Sequence, residues 1–163
     1  MKKKLVFALS LISILAFSNS FALFDPEPEE KRIKIEVIEF PGVKADKLFD
    51  LTCLWLAESF GSSKEVVELK DKESKKIVGN IVTTFNVFVT KFNVQTVLKI
   101  EIKDGKTRIT YNPHHIYFEG PTIDRREIYG TSELEKTHKT LDEVTALYKN
   151  YITKNMDAKD SDW

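Results

Sequence analysis

Two alternating stretches joined by Asp104-Gly105 constrain this chain more than any other feature. Val94, Thr96, Leu98, Ile100 and Ile102 alternate with Gln95, Lys99, Glu101 and Lys103, and Lys106 to Tyr111 resumes the pattern after the Asp-Gly pair. A side-chain period of two belongs to a strand with one buried face. Asp-Gly favours a two-residue hairpin turn, because both residues tolerate positive φ. Such a turn sets Lys103 opposite Lys106. Ile102 then faces Thr107, Ile100 faces Ile109 and Leu98 faces Tyr111 on the buried side, while Glu101 meets Arg108 on the other. A slip of one residue would turn the core face to water, so turn and pattern demand the same register.

The remaining elements follow from similar patterns. Ile33 to Val37 alternates apolar and charged residues and reads as a half-buried strand, stopped by Pro41-Gly42. Ala45 to Phe60 carries a broad apolar stripe that includes Leu48, Leu51, Leu54, Trp55 and Leu56, which predicts a helix with Asp46 as its N-cap and Gly61 as its stop. Glu65 to Lys70 and Lys75 to Val89 are strand candidates around an Asp71–Ser74 turn, and Thr90 to Asn93 reads as the next turn. Asn112 to Leu134 reads as irregular, with Ile116-Tyr117-Phe118 as a short extra strand. Glu135 to Lys154 is a second helix, its apolar side built on Leu141, Val144, Leu147, Tyr148, Tyr151 and Ile152. The expected fold class is α+β with the order β-α-β-β-β-β-α, an antiparallel sheet with both helices packed on one face.

The N-terminus carries the features of an export leader. Lys2, Lys3 and Lys4 precede the apolar run Leu5 to Phe17, and Ser20 and Ala22 are small residues at the −3 and −1 positions of a cut after Ala22. The run is too short to span a bilayer, which takes about 20 apolar residues. The expected organisation is a signal peptide over 1–22, a flexible Pro- and acid-rich tether over 23–31, a single domain over 32–155 and a polar tail over 156–163. The expected localisation is periplasmic or secreted, with no transmembrane segment once the leader is removed. Of 25 basic residues three lie in the leader, leaving 22 against 25 acidic ones. That slightly acidic balance argues against nucleic acid, whose binders need surplus positive charge. Cys53 is the only cysteine, which excludes an intrachain disulfide, and its place in an apolar helix pattern reads as a small core residue.

Part of the chain resembles a bacterial family of secreted domains of unknown function with a TATA-binding-protein-like fold. The residues that carry the resemblance are Phe40-Pro41-Gly42-Val43, the helix with Leu48, Trp55-Leu56-Ala57 and Phe60, the strand start Ile77-Val78-Gly79-Asn80, and the Ile102 to Arg108 hairpin. The resemblance implies the fold and brings no activity, cofactor or catalytic residue. The DNA-binding namesake of the fold lends no function, because fold does not imply function.

No catalytic constellation is visible. Adjacent His114 and His115 are poorly spaced to chelate one ion, and Cys53 with either histidine would be a nucleophile pair only if the thiol left the core. No metal site and no cofactor are expected. Asp124 to Glu127 reads as a solvated, self-paired charge cluster. The best candidate surface is the open sheet face, presenting Val82, Thr84, Asn86, Phe88, Val97, Lys99 and Arg108. The leading expectation is a non-catalytic binding or protein-interaction module for an envelope or extracellular protein or peptide. The alternatives are a metal-dependent or hydrolytic enzyme using His114 and His115, or a purely structural envelope component.

Overall fold

The computed structural model describes residues 26–60, 67–87, 89–118 and 125–156. The expected cleavage residue Ala22, the expected helix stop Gly61, and Phe88 and Asp124 lie outside the described residues.

The elements are a four-residue helix α1 (Glu29–Arg32), β1 (Lys34–Glu39), α2 (Ala45–Phe60), β2 (Val67–Asp71), β3 (Lys76–Val87), β4 (Thr90–Lys103), β5 (Lys106–Phe118) and α3 (Thr131–Asn155). The five strands form one antiparallel sheet in the order β1-β5-β4-β3-β2. The Asp104-Gly105 hairpin has the expected register throughout, with Leu98 opposite Tyr111, Ile100 opposite Ile109, Ile102 opposite Thr107 and Glu101 opposite Arg108.

Both helices cover one face. α2 buries Leu48, Phe49, Thr52, Trp55 and Leu56, and α3 buries Leu134, Thr137, Leu141, Val144, Tyr148 and Ile152. The main cluster joins Leu48, Phe49, Trp55 and Leu56 of α2 and Leu141, Val144, Tyr148 and Ile152 of α3 to Ile38, Phe40, Ile77, Ile81, Leu98, Ile100, Ile109 and Tyr111. A second cluster, Phe85, Val94, Ile116, Ile128 and Leu134, fills the far end of the sheet. Tyr148 ties the layers together. Its hydroxyl lies 2.9 Å from Thr52 Oγ1 and 3.1 Å from Thr107 Oγ1, and Thr52 donates to the carbonyl of Leu48 at 2.6 Å. One proton per hydroxyl leaves a single consistent chain: Thr107 donates to Tyr148, Tyr148 to Thr52, and Thr52 to the helix backbone.

The Asp104-Gly105 turn also organises the start of α2. Asp104 Oδ1 accepts the Ala45 N–H at 2.8 Å and its Oδ2 accepts Lys44 Nζ at 3.0 Å. Gly105 N donates to Val43 O at 2.8 Å, and Phe40 N donates to Gly105 O at 2.7 Å. Gly42 and Gly105 hold positive φ values of 82° and 73°, which the two interlocked turns require. The helix cap therefore comes from the hairpin and not from Asp46, whose carboxylate pairs with Lys75 Nζ at 2.6 Å.

Other expectations are corrected by the coordinates. Thr90 pairs with Val87, so Thr90 to Asn93 belongs to β4 and the reversal falls before it. Asn112 to Phe118 continues β5, and a bulge lies opposite Gln95/Thr96, where Thr96 pairs with Pro113 and Gln95 with His115. A bulge admits a proline, which has no N–H to give the ladder. α3 starts at Thr131, four residues before Glu135. There Glu133 accepts the Tyr129 N–H at 3.1 Å and hydrogen bonds from Arg126 Nη1 and Nη2. Leu54 and Leu147 are exposed. The described part of the tether is docked: Glu27 N donates to Ile128 O, Pro26 bridges Tyr129, and α1 follows.

Candidate functional site

The sheet face away from the helices is open among the described residues. Two cross-strand rows define it. The first runs Ile35–Thr110–Lys99–Val78–Leu69 across all five strands, and the second runs Val37–Arg108–Glu101–Lys76–Asp71 beside it. Ile35, Val37, Leu69 and Val82 are 59%, 58%, 52% and 49% exposed. Of the expected surface residues, Val82, Thr84, Asn86 and Arg108 are exposed and Val97 and Lys99 half-buried, all on this face.

The apolar half of β1 lies on the open side. Ile35 and Val37 point away from the helices, while Lys34 faces them and bridges Glu36 at 3.0 Å and Asp142 of α3 at 2.9 Å. A lone alternating strand shows that it has two unlike faces but not which one is covered. β1 is placed by pairing with β5, some seventy positions away in sequence, and that pairing hides its orientation from local patterns.

At the hairpin end of the open face Val37, Lys76, Glu101, Lys103, Lys106 and Arg108 line a groove of about 320 Å³. Among the described residues Glu101 is its only lining carboxylate. One of its oxygens, Oε2, takes Arg108 Nε at 3.0 Å, Arg108 Nη2 at 2.6 Å and Lys99 Nζ at 3.3 Å. The Arg108 hydrogen bond, with help from Lys99, holds the Glu101 carboxyl below the usual carboxylate range. Lys103 and Lys106 stand directly opposite each other and make no ion pair among the described residues. Lys76, Lys103 and Lys106 went unmarked in the sequence because each reads as an ordinary solvated strand end. The hairpin turn already sets Lys103 opposite Lys106; only the register with β3 adds Lys76.

The histidines are strand residues rather than loop residues. Their rings contact edge-to-face with centroids 4.8 Å apart, and His114 Nδ1 lies 3.4 Å from Asn112 O. Burial lowers the His114 pKa. Among the described residues no three His, Cys, Asp or Glu side chains gather where they could hold a metal ion. Cys53 is half-buried on α2, and burial pushes its thiol pKa up, partly opposed by Lys70. That direction disfavours the thiolate. His138 Nε2 lies 3.1 Å from Arg32 O. In the charge cluster Arg126 clamps Glu133 and donates to Glu127 O at 3.1 Å, and Glu127 meets Arg32.

Comparison with known proteins places this architecture. No curated protein matches the chain. A DUF4468 family protein from Bacteroides ovatus superposes with a TM-score of 0.55 at 11% identity, over 89% of this chain and 98% of its own. A TBP-like protein from Parabacteroides distasonis gives a TM-score of 0.59 at 10% identity, over 78% of this chain and 94% of its own. At such identities the likeness shows the fold alone. The family model described as a domain of unknown function, DUF4468, with TBP-like fold matches residues 35–116, which take in all five strands except Lys34, Tyr117 and Phe118, together with α2 and the two interlocked turns. The chain therefore belongs to the DUF4468 family, with its TBP-like α+β fold.

Proposed function

We propose that this is an exported bacterial envelope protein, periplasmic or released, that works as a non-catalytic module binding another protein through its open sheet face. The observation that carries the reading is the exposure of Ile35, Val37, Leu69 and Val82 together on one rigid sheet face, around a set of charged groups. Exposed apolar side chains beside charged groups on one face suit contact with another protein. The sheet supports these groups on paired strands, so binding needs little ordering. Export rests on the basic, apolar and small-residue segments that end at Ala22. Burial disfavours the Cys53 thiolate, and among the described residues no hydrogen bond joins Cys53 to His114 or His115.

The test combines processing and contact. The full chain is expressed in a bacterial host, and the N-terminus of the envelope-fraction protein is read by mass spectrometry. Cleavage after Ala22 is expected, and an intact Met1 in the cytoplasm would sink the export reading. Crosslinking in the same cells compares the wild type with Val82→Asp/Val97→Asp and with Leu147→Asp, a change on the exposed helix side. Loss of a discrete adduct in the first variant only is expected; the same adducts in all three would remove the sheet face as the site.

A further inference from the structure

The groove at the hairpin end has a charge pattern that the fold itself does not call for. An Asp-Gly hairpin is specified by its turn and its apolar face, not by lysines at the two positions flanking the turn. Here Lys103 and Lys106 oppose each other directly, and like charges across a strand pair destabilise it. Lys76 and Arg108 stand in the next row. The one carboxylate in the groove already serves Arg108 and Lys99. Glu39, opposite Lys106 on β1, is a counter-charge at the rim. The Asp71 carboxylate is occupied by the Glu73 and Ser74 N–H groups and the Ser74 hydroxyl. A local surplus of cations thus sits on a domain that is slightly acidic without its leader. Val37 forms one wall, with Ile35 farther along the same exposed side of β1.

We propose that this groove receives an extended acidic segment of the partner protein, with carboxylates among Lys76, Lys103, Lys106 and Arg108 and apolar side chains on Val37 and Ile35. The proposal rests on the open-face reading and narrows it to one partner chemistry. An incoming carboxylate converts the Lys103–Lys106 repulsion into attraction, so the site is complementary to an anion and mildly unfavourable without one. Lysines and an arginine beside exposed aliphatic residues suit a segment that mixes acidic and apolar side chains.

The probes are a labelled eight-residue peptide alternating glutamate and valine, its glutamine counterpart, inorganic phosphate, and vesicles of phosphatidylglycerol. The full mature chain is expected to bind the glutamate peptide at least about tenfold more tightly than the glutamine one. The preference should fade as salt rises from about 0.1 M to about 1 M and the screening length falls from about 10 Å to about 3 Å. Lys103→Gln/Lys106→Gln should abolish the preference while leaving the melting temperature unchanged or higher, a combination that a merely structural role for the lysines does not give. Equal affinity for both peptides, or unchanged binding by the lysine variant, would overturn the proposal. Tighter binding of phosphate than of the peptide would assign the groove to a small anion instead, and vesicle binding lost in the same variant would assign it to a membrane surface. The two readings fail separately. If Val82→Asp/Val97→Asp removes the envelope adduct and the lysine variant keeps it, the open face stands and the groove assignment falls. If no sheet-face change affects the adduct, both fall.

Discussion

The two hydrophobic clusters beneath the helices are closed in different ways. The main cluster is held by α2, by the C-terminal two-thirds of α3 and by four strands, and it surrounds the hydrogen-bonded hydroxyls of Thr52, Thr107 and Tyr148. The second is held by the far ends of β3, β4 and β5, by Ile128, and by Leu134 in the first turn of α3. Three threonines separate them. Thr83 lies between Ile81 and Phe85, Thr96 between Val94 and Leu98, and Thr137 between Leu134 and Leu141, so on each element the threonine falls between one cluster and the other. The contrast shows how a continuous sheet can carry a discontinuous core. Strand pairing runs through both regions, but apolar contact is interrupted by a polar belt, so the far end has fewer reasons to open only when everything opens.

The largest effect that tests this division is a pair of truncations. Trp55 is buried in the main cluster and contacts Tyr148 and Phe60 edge-to-face. Trp55→Ala should cost about 3–5 kcal/mol of global stability, read by denaturant unfolding. Ile116→Ala, in the second cluster, should cost about 2–3 kcal/mol, toward the low end for such a truncation. Native-state hydrogen exchange separates the two cases. Ile116→Ala should speed exchange around Phe85, Val94 and Ile116 while Ile77, Ile100 and Ile109 keep their protection. A uniform loss across the sheet would show that the two clusters open as one unit.

A smaller effect concerns the joint that anchors the main cluster's helix. The N–H of Ala45, and then Lys44, hold the Asp104 carboxyl below its ordinary value of 3.8. A carboxylate whose folded pKa is depressed contributes stability that is fully present above the unfolded pKa. That contribution is lost as pH falls from about 4 through the folded pKa. Asp104→Asn should therefore flatten the fall in stability below pH 4, measured by thermal unfolding in parallel buffers, and should lower stability at neutral pH. An unchanged acid limb would mean that Asp104 does not cap α2 in solution.

How much of this was legible depended on whether the signal was local. The Asp104-Gly105 register, the span of α2 and the buried alternation of β4 are each written within about twenty residues, and each was readable. The orientation of β1 was not, because it depends on pairing with β5. The length of β5 was missed for a different reason. Pro113 reads as a strand breaker, and the bulge that tolerates it is made with Gln95 and Thr96 of another strand. Asp46 looked like the cap of α2 because capping is usually local, whereas Asp104 reaches Ala45 from 59 positions away. The open-face residues of β3, β4 and β5 and the Lys103–Lys106 pair followed from alternation and the turn, and the place of Lys76 and the exposed Ile35–Val37 wall did not, since both need the strand order.

The smallest expected effect addresses the belt itself. Among the described residues the hydroxyls of Thr83, Thr96 and Thr137 are buried without a hydrogen-bond partner. A buried hydroxyl that exchanges water for nothing carries its desolvation cost uncompensated. Valine keeps the branched shape and removes the polar atom. Thr96→Val and Thr137→Val should each raise stability by up to about 1 kcal/mol, and should slow exchange at the far end of the sheet by joining the two clusters. Thr107→Val is the counterpart on the same sheet face. There the hydroxyl donates to Tyr148 in the connected chain, and its loss leaves the Tyr148 oxygen without that donor, so stability should fall by about 1 kcal/mol. Opposite signs for one chemical change at buried threonines inside and between the clusters would establish the belt as a break in the core. A loss at Thr96 and Thr137 as large as that at Thr107 would show that their hydroxyls are satisfied in solution and that the core is continuous.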